Sequence, residues 1–361
     1  MIHFVIGTRA QLFKTAPVML ECQKRSLKWR WIYTAQHKDT IKESLRTFGL
    51  PDPDYTVVSW DTEAKTMGKM WIWLLRMMIS LPKGRKILAG HTGKKNIVVT
   101  HGDTITTWWA ALLGKLFRCK VMHIEAGLRS FKLFDPFPEE INRIITSRLA
   151  DIYICPGESS LMNLKKYRGE KINTSYNTQA DTIDFGLKNC DKAELKLPEK
   201  KYVVASIHRY ENIFNKERLE HIAGLLEKIA KKFIVIFVLH PATSDQLDKL
   251  GLRSRFEKNK NFELVKRFEY LPFIKLIKHA EFVVTDGGGN QEELYFMGKP
   301  TLLFRHTTER PDELGKTAVL SKLEEPIVEK FIHQYKNYQQ PRVRISTSPS
   351  AMIADVLARF S

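Results

Sequence analysis

The sequence has few cysteines for its 361 residues, and those it has lie far apart. Cys22, Cys119, Cys155 and Cys190 form no Cys-x-x-Cys pair. This spacing argues against a disulfide scaffold and against a structural zinc site, and it suits a reducing cytoplasm. The sequence also has no Ser-His-Asp order, no phosphate-loop lysine motif and no metal-spaced histidine pair, so we expect neither a metal nor a cofactor.

The sequence also lacks an apolar run long enough to cross a bilayer. Its most apolar segment, "MWIWLLRMMISLP" (70–82), is too short and carries Arg76 in its middle. One interpretation is a helix that is buried or faces a partner. The other is a membrane-surface helix, because basic residues surround the segment. These are Lys65, Lys69, Lys83, Arg85 and Lys86.

Acidic residues are scarce relative to basic ones: 40 against 58, for a formal net charge of +18. The segment "RSRFEKNKNFELVKRFEY" mixes bases and aromatics, but no helix-turn-helix, finger or RNP signature accompanies it, so we expect no nucleic-acid partner. Attraction to anionic substrates or to an acidic membrane face accounts for the sign equally well. The N-terminus begins with a strand-like run rather than a secretory signal pattern, and we therefore expect a cytoplasmic protein.

Short β-branched or aromatic runs alternate with longer helical patterns along the whole chain. Such alternation is typical of parallel sheets covered on both faces. The predicted strands are 2–6, 31–34, 97–100, 121–124, 151–155, 202–206, 233–239, 262–265, 282–285 and 301–304. Two groups of five strands predict an α/β fold with two Rossmann-like domains, 1–170 and 171–361. The last helix is a candidate to pack back on the N-terminal domain.

Unusual polar clusters follow the predicted strands. In the first half they are "GTRAQLFK", "THGDT" and "EAGLR"; in the second they are "HRYEN", "HPAT", "TDGGGNQEE" and "RHTTER". Ligands bind at the carboxyl ends of the strands in open parallel sheets. Because both halves contribute clusters, we expect one active site in a cleft between the two domains.

The glycines of "TDGGGNQEE" (285–293) predict a phosphate site. Gly287, Gly288 and Gly289 let backbone N–H groups face outward at the start of a helix, where the helix dipole favours an anion. A glutamate one turn further on can accept hydrogen bonds from sugar hydroxyls, as acidic residues do with ribose. The alternative is a tight turn followed by surface glutamates.

Charged residues at other strand ends are candidates for the chemistry. Arg9 and Lys14 suit phosphate. The carboxylates Glu125 and Glu139 lie among aromatics, where they can act as general acids or bases. The alternative is structural ion pairing with Arg129 and Arg143. Asp103 in "THGDT" adds a carboxylate that could instead cap a helix. His208 and Arg209 in "HRYEN" are candidates to clamp a diphosphate.

Together these stretches resemble the non-hydrolysing UDP-N-acetylglucosamine 2-epimerase family. The matching motifs are G-T-R, "HGDT", "HIEAGLR", "PFPEEINR", "HRYEN", "TDGGGNQEE", "GKP" and "TTERPD", in family order over about residues 1–315. The resemblance implies two Rossmann-like domains of the glycosyltransferase-B type. It also implies a cytoplasmic homodimer that acts on a UDP-sugar and supplies a precursor of cell-surface polysaccharide.

The implied reaction inverts C2 by eliminating UDP and adding it back through 2-acetamidoglucal, giving UDP-ManNAc from UDP-GlcNAc. By resemblance, the catalytic residues are Asp103, Glu125, Glu139 and His208. The implied substrate-binding residues are Arg9, Lys14, Arg143, Arg209, Phe268, Phe273, Gly287, Gly288, Gly289, Glu293 and Arg310. Within that set, the two phenylalanines match positions that flank the uracil and Glu293 matches the ribose ligand.

The sequence departs from the family pattern in several places. Gly287 stands where the family usually has serine, Ala10-Gln11 replaces Pro-Glu, and "YNTQADT" replaces a G-N-P loop. Of the residues for a second, activating UDP-sugar, Gln36, Glu140, Arg209 and His240 have counterparts, but Asp39 replaces a glutamine, so activation stays open. Alternative functions are a hydrolysing 2-epimerase, an epimerase of a related UDP-HexNAc, a glycosyltransferase of this fold, and a non-enzymatic membrane or nucleic-acid binder.

Overall fold

The computed structural model describes residues 1–35, 41–58, 67–132, 137–308 and 310–361. Gln36 and Asp39 lie outside these residues. The contacts divide the chain into unit 1, Met1–Thr182 with Ser346–Ser361, and unit 2, Ile183–Ile345. The boundary predicted after residue 170 therefore lies inside unit 1, and the final helix belongs to unit 1. As independently folding domains, 1–170 and 171–361 stay a prediction.

Each unit is built on one parallel sheet. In the described residues, unit 1 has seven strands in the order 3-2-1-4-5-6-7, and unit 2 has six in the order 10-9-8-11-12-13. The strands are β1 (Ile2–Ile6), β2 (Trp29–Tyr33), β3 (Tyr55–Thr56), β4 (Ile97–His101), β5 (Lys120–Ile124), β6 (Ile152–Cys155), β7 (Glu170–Asn173), β8 (Tyr202–Ser206), β9 (Ile234–Leu239), β10 (Phe262–Lys266), β11 (Val283–Thr285), β12 (Thr301–Leu303) and β13 (Ala318–Leu320). In each sheet the strand order reverses beside the strand that comes first in the chain, β1 in unit 1 and β8 in unit 2. This is the Rossmann arrangement.

Helices connect successive strands. They are α1 (Arg9–Lys24), α2 (Ile41–Phe48), α3 (Met67–Ser80), α4 (Gly84–Ile87), α5 (Ile105–Leu116), α6 (Glu139–Leu149), α7 (Glu158–Asn163), α8 (Gln179–Asn189), α9 (Tyr210–Ile213), α10 (Lys216–Ala230), α11 (Pro241–Lys249), α12 (Arg253–Glu257), α13 (Tyr270–His279), α14 (Gly288–Met297), α15 (Glu325–Gln334) and α16 (Pro349–Leu357). Among the described residues, no helix combines the length and the apolar character needed to cross a membrane.

The predicted α/β fold with parallel sheets is confirmed, and every predicted strand is present to within two residues at each end. The count of five strands per domain is wrong, because the structure adds β3, β7 and β13. All three lie at the edge of a sheet. An edge strand pairs on one side only, so it needs no continuous apolar run and leaves a weak sequence signal.

Each sheet is anchored by aromatic residues in its core. In unit 1, Trp73 and Trp109 are fully buried with aliphatic residues of the sheet. In unit 2, the Phe282 ring lies 5.3 Å from that of Phe233 and 5.2 Å from that of Phe331, both edge-on. This geometry is the one that aromatic pairs prefer, and it fixes the start of β11.

The four cysteines are all buried and free. Burial raises the pKa of Cys22 to about 12 and that of Cys155 to about 11. Burial raises the pKa of the Cys119 and Cys190 thiols as well. All four therefore remain protonated thiols near neutral pH.

The Lys299 side chain of the "GKP" motif has a structural contact. Its Nζ donates to the carbonyl oxygens of Lys278, at 2.9 Å, and Ala280, at 2.7 Å, at the carboxyl end of α13. A cation is favourable there because the last carbonyls of a helix lack intrahelical partners. Burial nevertheless lowers the Lys299 pKa to about 8.

Gly298, which ends α14, generates the first prediction. Its φ is +66°, and an added Cβ would lie 2.1 Å from the Gln340 carbonyl oxygen. We expect Gly298→Ala to lower the free energy of unfolding by about 2–4 kcal/mol, since both the backbone at this position and the neighbouring segment at Gln340 must move. Gly251→Ala is the matched control, with the same φ and no atom within 4 Å. Thermal unfolding of both variants measures the difference, and equal losses would contradict the close approach.

Candidate active site

Glu125 directly follows β5 in a strained backbone conformation. Its φ is +65°, a region that residues other than glycine seldom adopt. The turn is held on both sides: Ala126 N donates to Ile154 O at 2.8 Å, and an added Cβ at Gly127 would lie 2.1 Å from Ser160 O. Such strain persists only where the surroundings impose it, and it is concentrated at functional sites.

The Glu125 carboxylate is held by groups from three other segments. Lys14 Nζ lies 2.6 Å from Oε1, and Asn177 Nδ2 donates to the same oxygen. The second oxygen, Oε2, lies 3.7 Å from His101 Nε2, beyond hydrogen-bond distance. The lysine charge favours the ionised carboxylate and fixes its orientation.

His101 is buried and faces this carboxylate. Burial lowers the pKa of His101 to about 4, although the nearby Glu125 opposes the shift. The imidazole is therefore neutral near pH 7. Lys14, rather than His101, balances the charge of Glu125.

Asp103 lies after β4 and is bound by α6. Arg143 on α6 places Nη2 2.6 Å and Nε 3.1 Å from Asp103 Oδ2. Asn142 Nδ2 donates to the Asp103 carbonyl oxygen at 2.7 Å. Ion pairing with Arg143, which the sequence analysis considered for Glu125 and Glu139, is thus made by Asp103, and both guanidinium contacts are to Oδ2.

The adjacent glutamates at the start of α6 have different surroundings. Glu140 is buried and accepts hydrogen bonds from Arg129 Nε at 2.5 Å and from Ser130 N at 3.1 Å. Burial acts to raise the pKa of Glu140, but Ser130 N–H and Arg129 outweigh it and hold that pKa below its usual value. Glu139 is half-buried, and its Oε2 is buried without a hydrogen-bond partner in the described residues. Glu139 is thus the one placed to act on another group.

Gln11 is a residue that the functional interpretation of the sequence missed. Its Oε1 accepts from Gly7 N at 2.9 Å, and its Nε2 donates to His101 O at 2.7 Å and Thr104 Oγ1 at 2.9 Å. The side chain therefore ties the loop after β1 to the loop after β4. The signal available in the sequence was that Ala10-Gln11 replaces the family's Pro-Glu.

Two further features belong to unit 1. Arg9, predicted to bind phosphate, pairs with Glu43 through Nη2 at 2.9 Å and lies 4.9 Å from the Phe13 ring centroid. A small open depression of about 160 Å³ lies beside Glu125 and Asn177. Tyr176, at the family's glycine position, lines the same depression.

In unit 2 a buried carboxylate organises the loop after β8. Asp286, fully buried after β11, accepts from His208 N at 3.0 Å, Arg209 N at 3.0 Å and Asn212 Nδ2 at 2.8 Å. The aspartate therefore fixes "HRYEN" beside "TDGGG". The sequence analysis assigned Asp286 no role, although its position between a predicted strand and three glycines indicated a candidate site residue.

The His208 ring lies beside the start of α14. Its Nδ1 is 3.4 Å from Asp286 Oδ1, and its ring stacks on that of His240 at 4.4 Å. An added Cβ at Gly287 would lie 2.7 Å from His208 Cε1. Gly287, which stands where the family usually has serine, thus leaves space for the His208 imidazole.

The first turn of α14 has the features of an anion site. Gly287 is its N-cap and supplies no side-chain cap, while an added Cβ at Gly289 would meet no atom within 4 Å. Thr285 Oγ1 accepts from Gly287 N at 3.1 Å and from Asn290 Nδ2 at 3.2 Å, which braces the turn. Gly288, between Gly287 and Gly289, is the first residue of α14, so its N–H lies at the positive end of the helix dipole.

The two glutamates on α14 also differ. Glu292 is buried and pairs with Arg310, whose Nη2 lies 2.8 Å from Oε2. Glu293 is half-buried. Arg310, predicted as a substrate ligand, therefore has a structural partner, and the predicted role of Glu293 as a ribose ligand stays a prediction.

The remaining predicted ligands lie near helix starts in unit 2. Phe268 and Phe273, both half-buried, lie just before and within the first turns of α13. Arg209 is the N-cap of α9, and its Nε lies 2.5 Å from Glu211 Oε1. Arg209 follows the carboxyl end of β8, as predicted for "HRYEN".

The fold and these carboxyl-edge clusters define a class: α/β proteins of the glycosyltransferase-B type that bind nucleotide-sugars. The family described as UDP-N-acetylglucosamine 2-epimerase matches residues 20–348. This chain belongs to that family.

Relatives and solved structures agree. The chain is 30% identical over 359 residues to a UDP-N-acetylglucosamine 2-epimerase of Methanocaldococcus jannaschii, covering 94% of each chain. A structure of UDP-GlcNAc 2-epimerase from that organism superposes with a TM-score of 0.82 at 27% identity, covering 99% of each chain. A second crystal structure of the M. jannaschii enzyme, in complex with UDP-GlcNAc and UDP, has a TM-score of 0.78 at 28% identity and the same coverage.

Glu313, three residues after Arg310, is a buried carboxyl of unit 2. Its Oε2 has no hydrogen-bond partner in the described residues. Burial raises the pKa of Glu313 to about 7; Arg310 opposes this shift, and Glu292 and Asp312 add to it. The folded chain therefore takes up a proton at Glu313 over a pH range in which the unfolded chain has released it.

This shift predicts a pH-dependent stability. The contribution of Glu313 to the free energy of unfolding is fully present below the pKa of about 4.5 that the group has in the unfolded chain. This contribution is lost as the pH rises through about 7, the pKa in the folded chain. Glu313→Gln cannot ionise, so we expect it to raise the free energy of unfolding by about 1–3 kcal/mol at about pH 8 and little at about pH 4.5. Denaturant unfolding at both pH values measures this. The exposed Glu324→Gln is the control, and an equal effect of Glu313→Gln at both pH values would contradict the assignment.

Proposed function

We propose that this chain is a non-hydrolysing epimerase that interconverts UDP-GlcNAc and UDP-ManNAc at C2. The observation that carries the proposal is the Glu125 carboxylate, held in a strained turn with Lys14 and Asn177 on one oxygen. Membership of the family and the relative solved with UDP-GlcNAc and UDP support the substrate class. Inversion at C2 needs proton transfer on both faces of the sugar, and unit 1 has several carboxylates for it.

The proposed reaction has two balanced steps. A carboxylate takes the C2 proton, the C1–O bond breaks with its electron pair leaving on UDP, and a C1–C2 double bond forms in 2-acetamidoglucal. UDP then adds back at C1 while another acid delivers a proton to the opposite face of C2. No carbonyl acidifies the C2 proton directly, so stabilisation of the leaving diphosphate must lower the barrier as well.

We assign the proton transfers to Asp103, Glu125 and Glu139. Each is a carboxylate after a strand or at a helix start of unit 1, and Glu139 has a buried oxygen without a partner in the described residues. Arg143 orients Asp103, and Lys14 orients Glu125. Orientation by a second group is what a proton-transfer residue requires.

We assign the leaving diphosphate to unit 2. Gly288 and Gly289 offer backbone N–H groups at the start of α14, and His208 lies beside that turn. Glu293 is the proposed ribose ligand, Phe268 and Phe273 the uracil contacts, and Arg9, Arg209 and Arg310 further ligands. The basic net charge of +18 attracts such an anionic substrate.

The biological setting is part of the proposal. We infer that the chain acts in the cytoplasm as a homodimer and that its product is a precursor of cell-surface polysaccharide. Family membership supports these three statements. Size-exclusion chromatography with light scattering tests the dimer directly.

The reaction predicts isotope exchange. Incubation with UDP-GlcNAc in D2O should give both C2 epimers with deuterium at C2, because the base exchanges its proton with solvent. Asp103→Asn, Glu125→Gln and Glu139→Gln should each slow the exchange by about a hundredfold or more. Proton NMR and mass spectrometry measure it, with the exposed Glu158→Gln as the carboxylate control. Free ManNAc with UDP would indicate a hydrolysing enzyme, and C2 left protonated would indicate a transferase; either result overturns the proposal.

The contact between Gly287 and His208 predicts how UDP binds. Gly287→Ser adds the hydroxyl that the family has, yet its Cβ must displace His208. If His208 replaces that hydroxyl as a phosphate donor, the variant should bind UDP about tenfold more weakly in calorimetry, the scale of one charge-assisted hydrogen bond.

A double-mutant cycle supplies the control for this prediction. In a His208→Ala background the added serine has room, so Gly287→Ser should no longer weaken UDP binding. A serine that tightens UDP binding in the otherwise unchanged chain would show that His208 has not taken over the role.

A further inference from the structure

Asp286 is a fully buried carboxylate, and its hydrogen-bond donors are all uncharged. They are His208 N, Arg209 N and Asn212 Nδ2. In the described part of the chain, the one side chain that can bring a positive charge within ion-pair distance of Asp286 is His208, whose Nδ1 lies 3.4 Å from Oδ1. Because a buried charge is costly unless it is paired, the imidazole is the natural partner of this carboxylate.

The two nitrogens of the His208 ring have different surroundings. Nδ1 is buried beside Asp286 Oδ1, in a contact too loose to count as a hydrogen bond in this structure. Nε2 lies beside the first turn of α14, because an added Cβ at Gly287 would be 3.1 Å from it. The side chain is 31% exposed, and the exposed part is not Nδ1. One nitrogen therefore faces a buried anion, and the other lies beside the turn proposed to bind the diphosphate.

Other titratable groups also surround His208. The ring of His240, after β9, stacks on it with 4.4 Å between the centroids. Arg209, the next residue, pairs with Glu211 through Nε at 2.5 Å from Oε1, so these two charges largely offset each other. The first turn of α14 contains no acidic residue. Asp286 is thus the acidic side chain that these elements place at the His208 ring.

We propose that Asp286 is a positioning residue that holds the Nδ1 proton of His208 and so directs Nε2 at the diphosphate. Because UDP binds to unit 2 in the proposed function, this inference rests on that function. With UDP bound, the imidazole gains a second proton, so that Nδ1–H donates to Asp286 and Nε2–H donates to a diphosphate oxygen. The imidazolium is favoured because an anion then lies at each nitrogen. Such a donor stabilises the charge that develops on the diphosphate as the C1–O bond breaks.

A purely structural role for Asp286 is the alternative. Its two oxygens accept from the backbone N–H groups of His208 and Arg209 whatever the charge of the imidazole. In that case the aspartate would only hold the loop, and UDP binding would leave the proton content of His208 unchanged. The two roles therefore differ in proton uptake.

Calorimetry of UDP binding to the full chain tests the proposal. At about pH 8 the terminal phosphate of free UDP is ionised, because the second pKa of such a group is about 6. Titrations in buffers of different ionisation enthalpy should show uptake of about one proton per UDP, so that the Kd rises about tenfold per pH unit. His208→Gln should abolish the uptake, whereas His240→Gln, which changes the neighbouring ring, should retain it.

Two further variants separate charge from loop-holding. Asp286→Asn keeps the shape of the side chain but removes its charge, so it should abolish most of the uptake and weaken UDP binding about tenfold or more. The matched control is Asn212→Ala, which removes hydrogen bonds to Asp286 Oδ2 and to the Phe304 carbonyl oxygen but leaves the carboxylate charge. It should lower the melting temperature and retain the uptake. Thermal unfolding of both variants measures how far the loop is weakened.

The unchanged chain offers a measurement that does not depend on any Asp286 variant being folded. In protein whose histidines carry the heavy nitrogen isotope, NMR shifts show which imidazole nitrogens are protonated. The His208 signals are those that His208→Gln lacks. We expect the proton on Nδ1 in the free chain, and protons on both nitrogens when UDP is bound.

The possible failures are distinguishable. UDP binding without proton uptake, or a neutral His208 with its proton on Nε2, would overturn the inference and leave the proposed function standing. Equal loss of uptake in Asn212→Ala and Asp286→Asn would do the same, because the role of Asp286 would then be to hold the loop. Failure of the unchanged chain to bind UDP would overturn both the inference and the proposed function.

Discussion

Burying a carboxylate is costly unless it is hydrogen-bonded, and this constraint shapes the loops of the candidate site in each unit. Glu140 accepts from Ser130 N and Arg129, and Asp286 accepts from His208 N and Arg209 N. In each case backbone N–H groups of one loop are bound to a side chain from another segment. The loops at the carboxyl edges of both sheets are thereby fixed in position without a metal or disulfide in the described residues.

Helical geometry gives the neighbouring glutamates on α6 and on α14 different surroundings. Successive residues on a helix point about 100° apart, so two adjacent side chains can differ in burial, and in each glutamate pair only one faces the interior. On α6 it is Glu140, and on α14 it is Glu292, each bound to an arginine. Glu139 and Glu293 are the ones left half-buried. One acid of each pair thus forms a buried ion pair, and the other is the more exposed of the two.

The sequence predicted most of the fold, but not the partners of the candidate site residues. Buried strands such as β4 and β9 were evident from their apolar runs, whereas the edge strand β3 was not. Local sequence could not predict which of Glu139 and Glu140 is buried. The burial of Glu140 depends on its contact with Arg129, which is near in sequence but is brought into contact only by the fold. Gln11 and Asp286 were missed for the same reason: their role is to join segments about 75 to 90 residues apart.

The buried cysteines have a practical consequence. A thiol reacts with maleimides and iodoacetamide as the thiolate, and burial both raises the pKa of these four and shields them. A single cysteine introduced at an exposed position would therefore be the preferred target for a fluorophore or spin label. Spectroscopic distances could be measured in this protein with its native cysteines in place.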